Sequence, residues 1–296
     1  MAGNESTFQN TNCDWNRDIG RHPVKTAVNL KNWMIVFTRR DANTAERFVE
    51  TCNGCCRQMG IQINEPYVIE INDDRAETYV REIKKNLKDT TQLVLMIFPT
   101  SRDDRYAAVK RLCCIECPVP SQVIISKTIQ NEKSLRSVCQ KIILQINCKL
   151  GGELWYLKIP ITKLMVVGID VYHQKEKKYK SIAGFVSSLN KEQTRWYSKV
   201  CFQMVGQELV DQMKIAFTNS LKKYQEVNGF LPEKIVIYRD GVSDGQLNHV
   251  ENHEVEQLKS VFMENYCPKL AVVVVQKRIS ARIFSVSIMR IFGEKI

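Results

Sequence analysis

Glu233-Lys234-Ile235-Val236-Ile237-Tyr238-Arg239-Asp240-Gly241-Val242-Ser243-Asp244-Gly245 begins as a buried apolar run and ends in a charged, glycine-rich turn. An apolar strand that delivers an acid into a turn is how α/β folds present a carboxylate at the C-terminal edge of a sheet, where ligands bind. Lys163-Leu164-Met165-Val166-Val167-Gly168-Ile169-Asp170 repeats this build upstream. The two stretches make Asp170 and Asp240 a pair of strand-end acids.

Around them, residues 164–172, 181–189 and 196–204 read as three strands in quick succession, an antiparallel meander. A long helix over 207–227 follows, with apolar residues at Leu209, Val210, Met213, Ile215, Ala216 and Leu221. A strand at 234–238, a helix over 247–266 and a very apolar strand at 270–275 complete the series. Three strands, helix, strand, helix, strand resembles the order of an RNase H-like core. In such a sheet the first and fourth strands are neighbours, so Asp170 and Asp240 come together. Adjacent carboxylates repel unless a cation lies between them, and Mg²⁺ is the natural partner for hard oxygen ligands. Two such ions can activate a water and stabilise a leaving oxygen in phosphodiester cleavage. The plainer alternative is that each Asp caps its own turn.

Ahead of Gly151-Gly152 the pattern differs. Strands at 30–38, 67–71, 92–98 and 122–126 alternate with helices over 43–59, 75–87, 102–113 and 135–150, which predicts a Rossmann-like parallel sheet. Residues 1–27 are polar and irregular, a linker or end segment. The first domain is expected over 28–152 and the second over 153–296.

The formal net charge of +11 over 296 residues favours a polyanionic partner, with nucleic acid ahead of a membrane surface. No stretch has the length of a transmembrane helix, and Met1 to Cys13 lacks a signal peptide's apolar segment, so a cytoplasmic protein is expected. The 11 cysteines suit a reducing compartment. Cys52, Cys55 and Cys56 contain one C-x-x-C, and Cys113, Cys114 and Cys117 another. Zinc is one reading. The other, preferred here because neither group lies in a tight glycine-rich knuckle, puts the first group on an amphipathic helix and the second at a helix end.

The wording of several motifs is specific. Val166 to His173, Ser181 to Val186, Thr194 to Ser198, Gly206 to Asp211, Tyr238 to Leu247 and Val274 to Arg278 together resemble the Piwi clade of the Argonaute family. The similarity covers about residues 28–285. It implies a MID domain over 28–152 and part of an RNase H-like PIWI domain from 153. The tail from about 286 departs from the family's wording. Argonaute slicers hold two Mg²⁺ with an Asp–Glu–Asp–His (or Asp) tetrad. By motif, Asp170 matches the first Asp, Glu208 the Glu and Asp240 the second Asp. The fourth ligand lies downstream in the family and finds no counterpart here.

The resemblance also implies a pocket for the 5′ phosphate of a guide RNA. Tyr106 and Lys110 are spaced i, i+4 on one helix, Gln122 opens the next strand, and Gln145 and Lys149 are again i, i+4 near a helix end. An aromatic ring for a base, with lysines and amides for a phosphate, suits a phosphorylated RNA end. In the family a Mg²⁺ bridging the first phosphates is expected beside Gln145. Lys277, Arg278 and Arg282, at the Gln-Lys-Arg motif, are expected to line the RNA backbone.

Three functions follow as expectations. The first is binding of a small single-stranded guide (piRNA) by its 5′ phosphate, for transposon silencing in the germline together with complementary target RNA. The second is Mg²⁺-dependent, guide-directed endoribonuclease activity. The third is a non-enzymatic interaction surface, with Tudor-domain or other silencing proteins as partners.

Overall fold

A computed structural model describes residues 22–172, 182–202, 209–240, 242, 245, 247–262 and 265–276. The chain divides into two units between Leu154 and Trp155.

The first unit contains β1 (Trp33–Thr38), α1 (Ala42–Gln58), β2 (Tyr67–Ile71), α2 (Ala76–Asn86), β3 (Leu93–Phe98), α3 (Asp103–Arg111), β4 (Ser121–Ile125), α4 (Ser126–Gln130) and α5 (Glu132–Lys149). The strands form one parallel sheet in the order β2-β1-β3-β4. β1 and β3 are buried at every position. They are central strands covered on both faces, which is why each reads as an unbroken apolar run rather than an alternation.

Period two then sorts their side chains. Trp33, Ile35, Phe37, Leu93, Leu95 and Ile97 pack with Phe48 and Cys52 of α1 and Cys139 and Ile143 of α5. Met34, Val36, Val94, Met96 and Phe98 pack with Tyr79 and Ile83 of α2 and Val109 of α3.

Three expectations shift here. The last strand ends at Ile125, and Ser126 opens α4, a short helix that the apolar pattern does not announce. Asn131, in extended conformation, then restarts the chain as α5, its side chain accepting the Lys133 N–H at 3.0 Å. The helix expected to 113 ends at Arg111 and opens into a π turn over Leu112–Glu116. Past α5, Gly152 packs against buried Asn147; a Cβ there would lie 2.3 Å from Asn147 Nδ2. Asn147 in turn accepts the Val28 N–H and donates to the Thr26 carbonyl, tying the start of the unit to its end.

The second unit contains β5 (Leu164–Tyr172), β6 (Ile182–Ser188), β7 (Trp196–Phe202), α6 (Leu209–Asn228), β8 (Lys234–Asp240), α7 (Leu247–His249), a π turn (Val250–Val255), α8 (Glu256–Lys259) and β9 (Lys269–Val275). The sheet order is β7-β6-β5-β8-β9, antiparallel across β7, β6 and β5 and parallel across β5, β8 and β9. This is the element order anticipated for an RNase H-like core.

α6 covers one face through Met213, Ala216, Phe217, Leu221 and Tyr224, a 3.6-residue stripe. Ile215, expected in that stripe, is out of phase with it and exposed. The single helix expected over 247–266 is instead two short helices around a π turn. Among the described residues no helix is long and apolar enough to cross a membrane.

Candidate nucleic-acid interface

Each unit carries one constellation. In the first, α3, the start of β4 and the end of α5 bring Tyr106, Lys110, Gln122, Gln145 and Lys149 into one cluster. Asp103 and Asp104 in the first turn of α3 and Lys110 and Arg111 in its last complement the helix dipole. The start of α3 is pinned by Arg105, which is fully buried. Its guanidinium donates to the Asp74 carboxylate and carbonyl and to the Thr100 carbonyl, and stacks 4.5 Å from the Phe98 ring centroid. With Arg105 turned inward, Tyr106 faces out, 49% exposed. Lys110 Nζ lies 5.7 Å from the Tyr106 ring centroid.

Two ammonium groups converge on the first residues of β4. Lys110 Nζ donates to Ser121 Oγ at 2.8 Å and to the Ser121 carbonyl at 3.3 Å. Lys149 Nζ donates to the same carbonyl at 2.8 Å and to Gln122 Oε1 at 2.7 Å. Gln122 is buried, and its Nε2 reaches the Val123 carbonyl at 3.2 Å and Gln145 Oε1 at 3.5 Å. Among the described residues neither ammonium is paired with a carboxylate. Lys149 is exposed as a residue, yet partial withdrawal of its ammonium from water, and then the Lys110 charge, pull its pKa below the usual lysine value; Cys114 opposes this weakly. Two cations held together by neutral acceptors have the charge and donors to receive an anion.

Ser121 is the residue that sequence reasoning passed over. The available signal was its position, directly after Pro120 and directly before Gln122.

In the second unit, Asp170 and Asp240 are Cα partners across the parallel β5–β8 pair. Their face of the sheet is the one opposite α6. Asp240 is the last residue of β8 rather than part of the following turn, and β5 runs two residues past Asp170. β8 extends through charged Arg239 because that residue forms a buried ion pair with Glu254: Nε to Oε2 is 2.8 Å and Nη2 to Oε1 is 3.1 Å. Arg239 Nη1 also donates to the Asp240 carbonyl. On the other side of Asp170 the register partner is Gly184, where an added Cβ would meet nothing closer than the Asp170 carbonyl oxygen at 4.0 Å. Asp170 itself is exposed among the described residues.

Two oxygen-donor side chains at one level of neighbouring strands are the donor type a hard divalent cation takes. Among the described residues no group of three or more His, Cys, Asp or Glu is placed to hold one. Glu208, Lys277, Arg278 and Arg282 lie outside the described residues. The first cysteine group belongs to the core: Cys52, Cys55 and Cys56 are buried, and burial pushes their thiols up, Cys56 to about 12.

The Piwi domain family matches residues 93–293. Piwi-like protein Ago3 of Bombyx mori is 47% identical over 276 residues, covering 92% of this chain and 30% of that protein. Piwi-like protein 1 of Danio rerio is 41% identical over 288 residues, covering 96% of this chain and 33% of that protein. The chain thus spans about a third of the length of these relatives. The crystal structure of Drosophila Piwi superimposes with a TM-score of 0.83 at 26% identity, over 93% of this chain and 38% of that one.

Proposed function

Because this chain belongs to the Piwi clade of the Argonaute family, we propose that its first unit acts as a MID domain holding the 5′ phosphate of a small single-stranded guide RNA. The observation that carries this reading is the convergence of Lys110 and Lys149 on Ser121 with neutral acceptors only. Each ammonium has three donors and places two on these neutral acceptors, so a terminal phosphate takes the third from each, and charge-assisted hydrogen bonds are roughly twice as strong as neutral ones. The exposed Tyr106 ring offers a stacking face to the first base. Gln122 and Gln145 orient the phosphate, and Gln145 would offer its amide oxygen to a Mg²⁺ bound with it, which would supply further neutralising charge. The guide is of the piRNA type, serving germline silencing of transposons in the cytoplasm through complementary target RNA and Tudor-domain partners. Lys277, Arg278 and Arg282 contact its backbone.

A second reading, guide-directed endonuclease activity, is favoured by the Asp170–Asp240 register pair. Bound Mg²⁺ would supply Lewis-acid stabilisation of a phosphodiester and an activated water. The chain's own part is to hold two carboxylates at one level of the sheet, with Glu208 as the third acid.

Filter binding of 5′-phosphorylated and 5′-hydroxyl single-stranded RNA tests the first reading. A preference of about tenfold or more for the phosphate is expected, lost in Lys110→Ala and in Lys149→Ala. Equal affinity for the two RNAs in the parent chain would reject it.

A further inference from the structure

Ser121 contributes three of the four hydrogen bonds that hold the two pocket ammoniums. Its hydroxyl and carbonyl both accept from Lys110, and the carbonyl also accepts from Lys149. The residue is only 6% exposed, so these acceptors meet little competition from water. It is the first residue of β4 and is paired in register with Val94 of the fully buried β3, which fixes its backbone. Below it, the Cys113 thiol is pushed up to about 11 by burial, against the influence of Lys110 and a hydrogen bond with Ser121. The hydroxyl oxygen has two lone pairs and so can accept from Lys110.

Two ammoniums this close repel each other. A carboxylate between them would hold them in place, but it would also cancel one of the two charges that a phosphate needs. Neutral dipoles hold them without cancelling it.

From this geometry we infer that Ser121 is a positioning residue for phosphate specificity: it aims Lys110 and Lys149 at a single anion while leaving both charges available. The inference rests on the 5′-phosphate reading above and assigns the discrimination between phosphate and hydroxyl ends to a neutral, buried side chain. Ser121 acts through the two lysines and need not touch the ligand.

The test is the ratio of affinities for 5′-phosphorylated and 5′-hydroxyl RNA, measured on the full chain with melting curves as a fold control. Ser121→Ala is expected to lower the ratio roughly three- to tenfold by weakening phosphate binding alone, the range of one ordinary hydrogen bond. Ser121→Thr keeps the hydroxyl and should stay within about twofold of the parent. Ser121→Asp should lower the ratio further than Ser121→Ala, because its carboxylate cancels one of the two positive charges. If Ser121→Ala disturbs β4 in the melting control, Ser121→Cys, isosteric with a weaker acceptor, replaces it and should lower the ratio in the same direction.

A Ser121→Ala chain that folds and keeps the parent ratio, while Lys110→Ala lowers it, would overturn the inference and leave the phosphate pocket standing. A ratio unchanged in Lys110→Ala as well would sink the pocket assignment and this inference with it.

Discussion

Asp170 and Asp240 occupy the same level of neighbouring parallel strands, each the other's Cα partner at the last paired position of β5 and β8. Seventy positions apart in the chain, they meet because β5 and β8 are adjacent at the centre of the sheet. Like charges directly opposite each other on paired strands are destabilising by a few tenths to about 1 kcal/mol. Asp170→Asn is therefore expected to raise the metal-free melting temperature slightly and to abolish any stabilisation by Mn²⁺ or Mg²⁺. Differential scanning fluorimetry with and without metal reads both effects. An unchanged metal response in Asp170→Asn would remove Asp170 from the cation site.

The ion pair between Arg239 and Glu254 is nearly closed to solvent, with the two residues 7% and 8% exposed. Removing one partner of a buried pair leaves an uncompensated charge and costs about 3–5 kcal/mol. Glu254→Ala should lower the urea midpoint of the second unit accordingly. Arg239→Met combined with Glu254→Leu should recover most of that loss, because no charge is then left buried. A double variant as unstable as the single one would show that the pair does more than neutralise itself.

Lys149 has a pKa below the usual lysine value, through desolvation first and Lys110 second. A bound phosphate favours its charged form, so binding is coupled to proton uptake in alkaline solution. Affinity for a 5′-phosphorylated end should be full below the lowered pKa and decline as pH rises through it, before the ordinary lysine range is reached. A 2′-O-methyl oligonucleotide, stable to alkali, permits the titration. Lys149→Arg should hold its affinity to higher pH; a decline identical in the parent and in Lys149→Arg would assign the titration to another group.

Buried thiols give the stability of the first unit a separate pH dependence that also falls in alkaline solution. The folded pKa values of Cys52, Cys55 and Cys56 lie above the unfolded value of about 9. Their contribution is complete below that value and is lost as pH rises toward the folded pKa, about 12 for Cys56. At pH 10 the expected loss is about 1.4 kcal/mol for a thiol that stays neutral in the fold. Melting temperature should fall between pH 9 and 10.5, and Cys56→Val should fall less steeply than the parent. Parallel curves would refute the assignment to Cys56.

The elements were legible wherever burial leaves a local trace. Trp33–Phe37 and Leu93–Phe98 announce central strands because both faces are covered, and Gly60 and Gly151 stop their helices with φ of +73° and +88°. The trace failed where a distant partner changes the meaning of a residue. Arg239 looks like the start of a turn, and only Glu254, fifteen positions later, lets it remain in the strand. Ile215 looks apolar and therefore buried, yet the phase of α6 turns it outward.

The pocket divides in the same way. Tyr106 with Lys110, and Gln145 with Lys149, are helical neighbours four positions apart, a relation written in the local sequence. Their convergence on Ser121, and the charge left unpaired by neutral acceptors, depend on where β4 and the end of α5 come to rest. Helical period and strand alternation act over a few residues, so the chain alone specifies its longer helices, its strands and the chemistry on each. Register and convergence join residues 11 to 70 positions apart, and they are set by which strands pair at the centre of each sheet and which helices cover it.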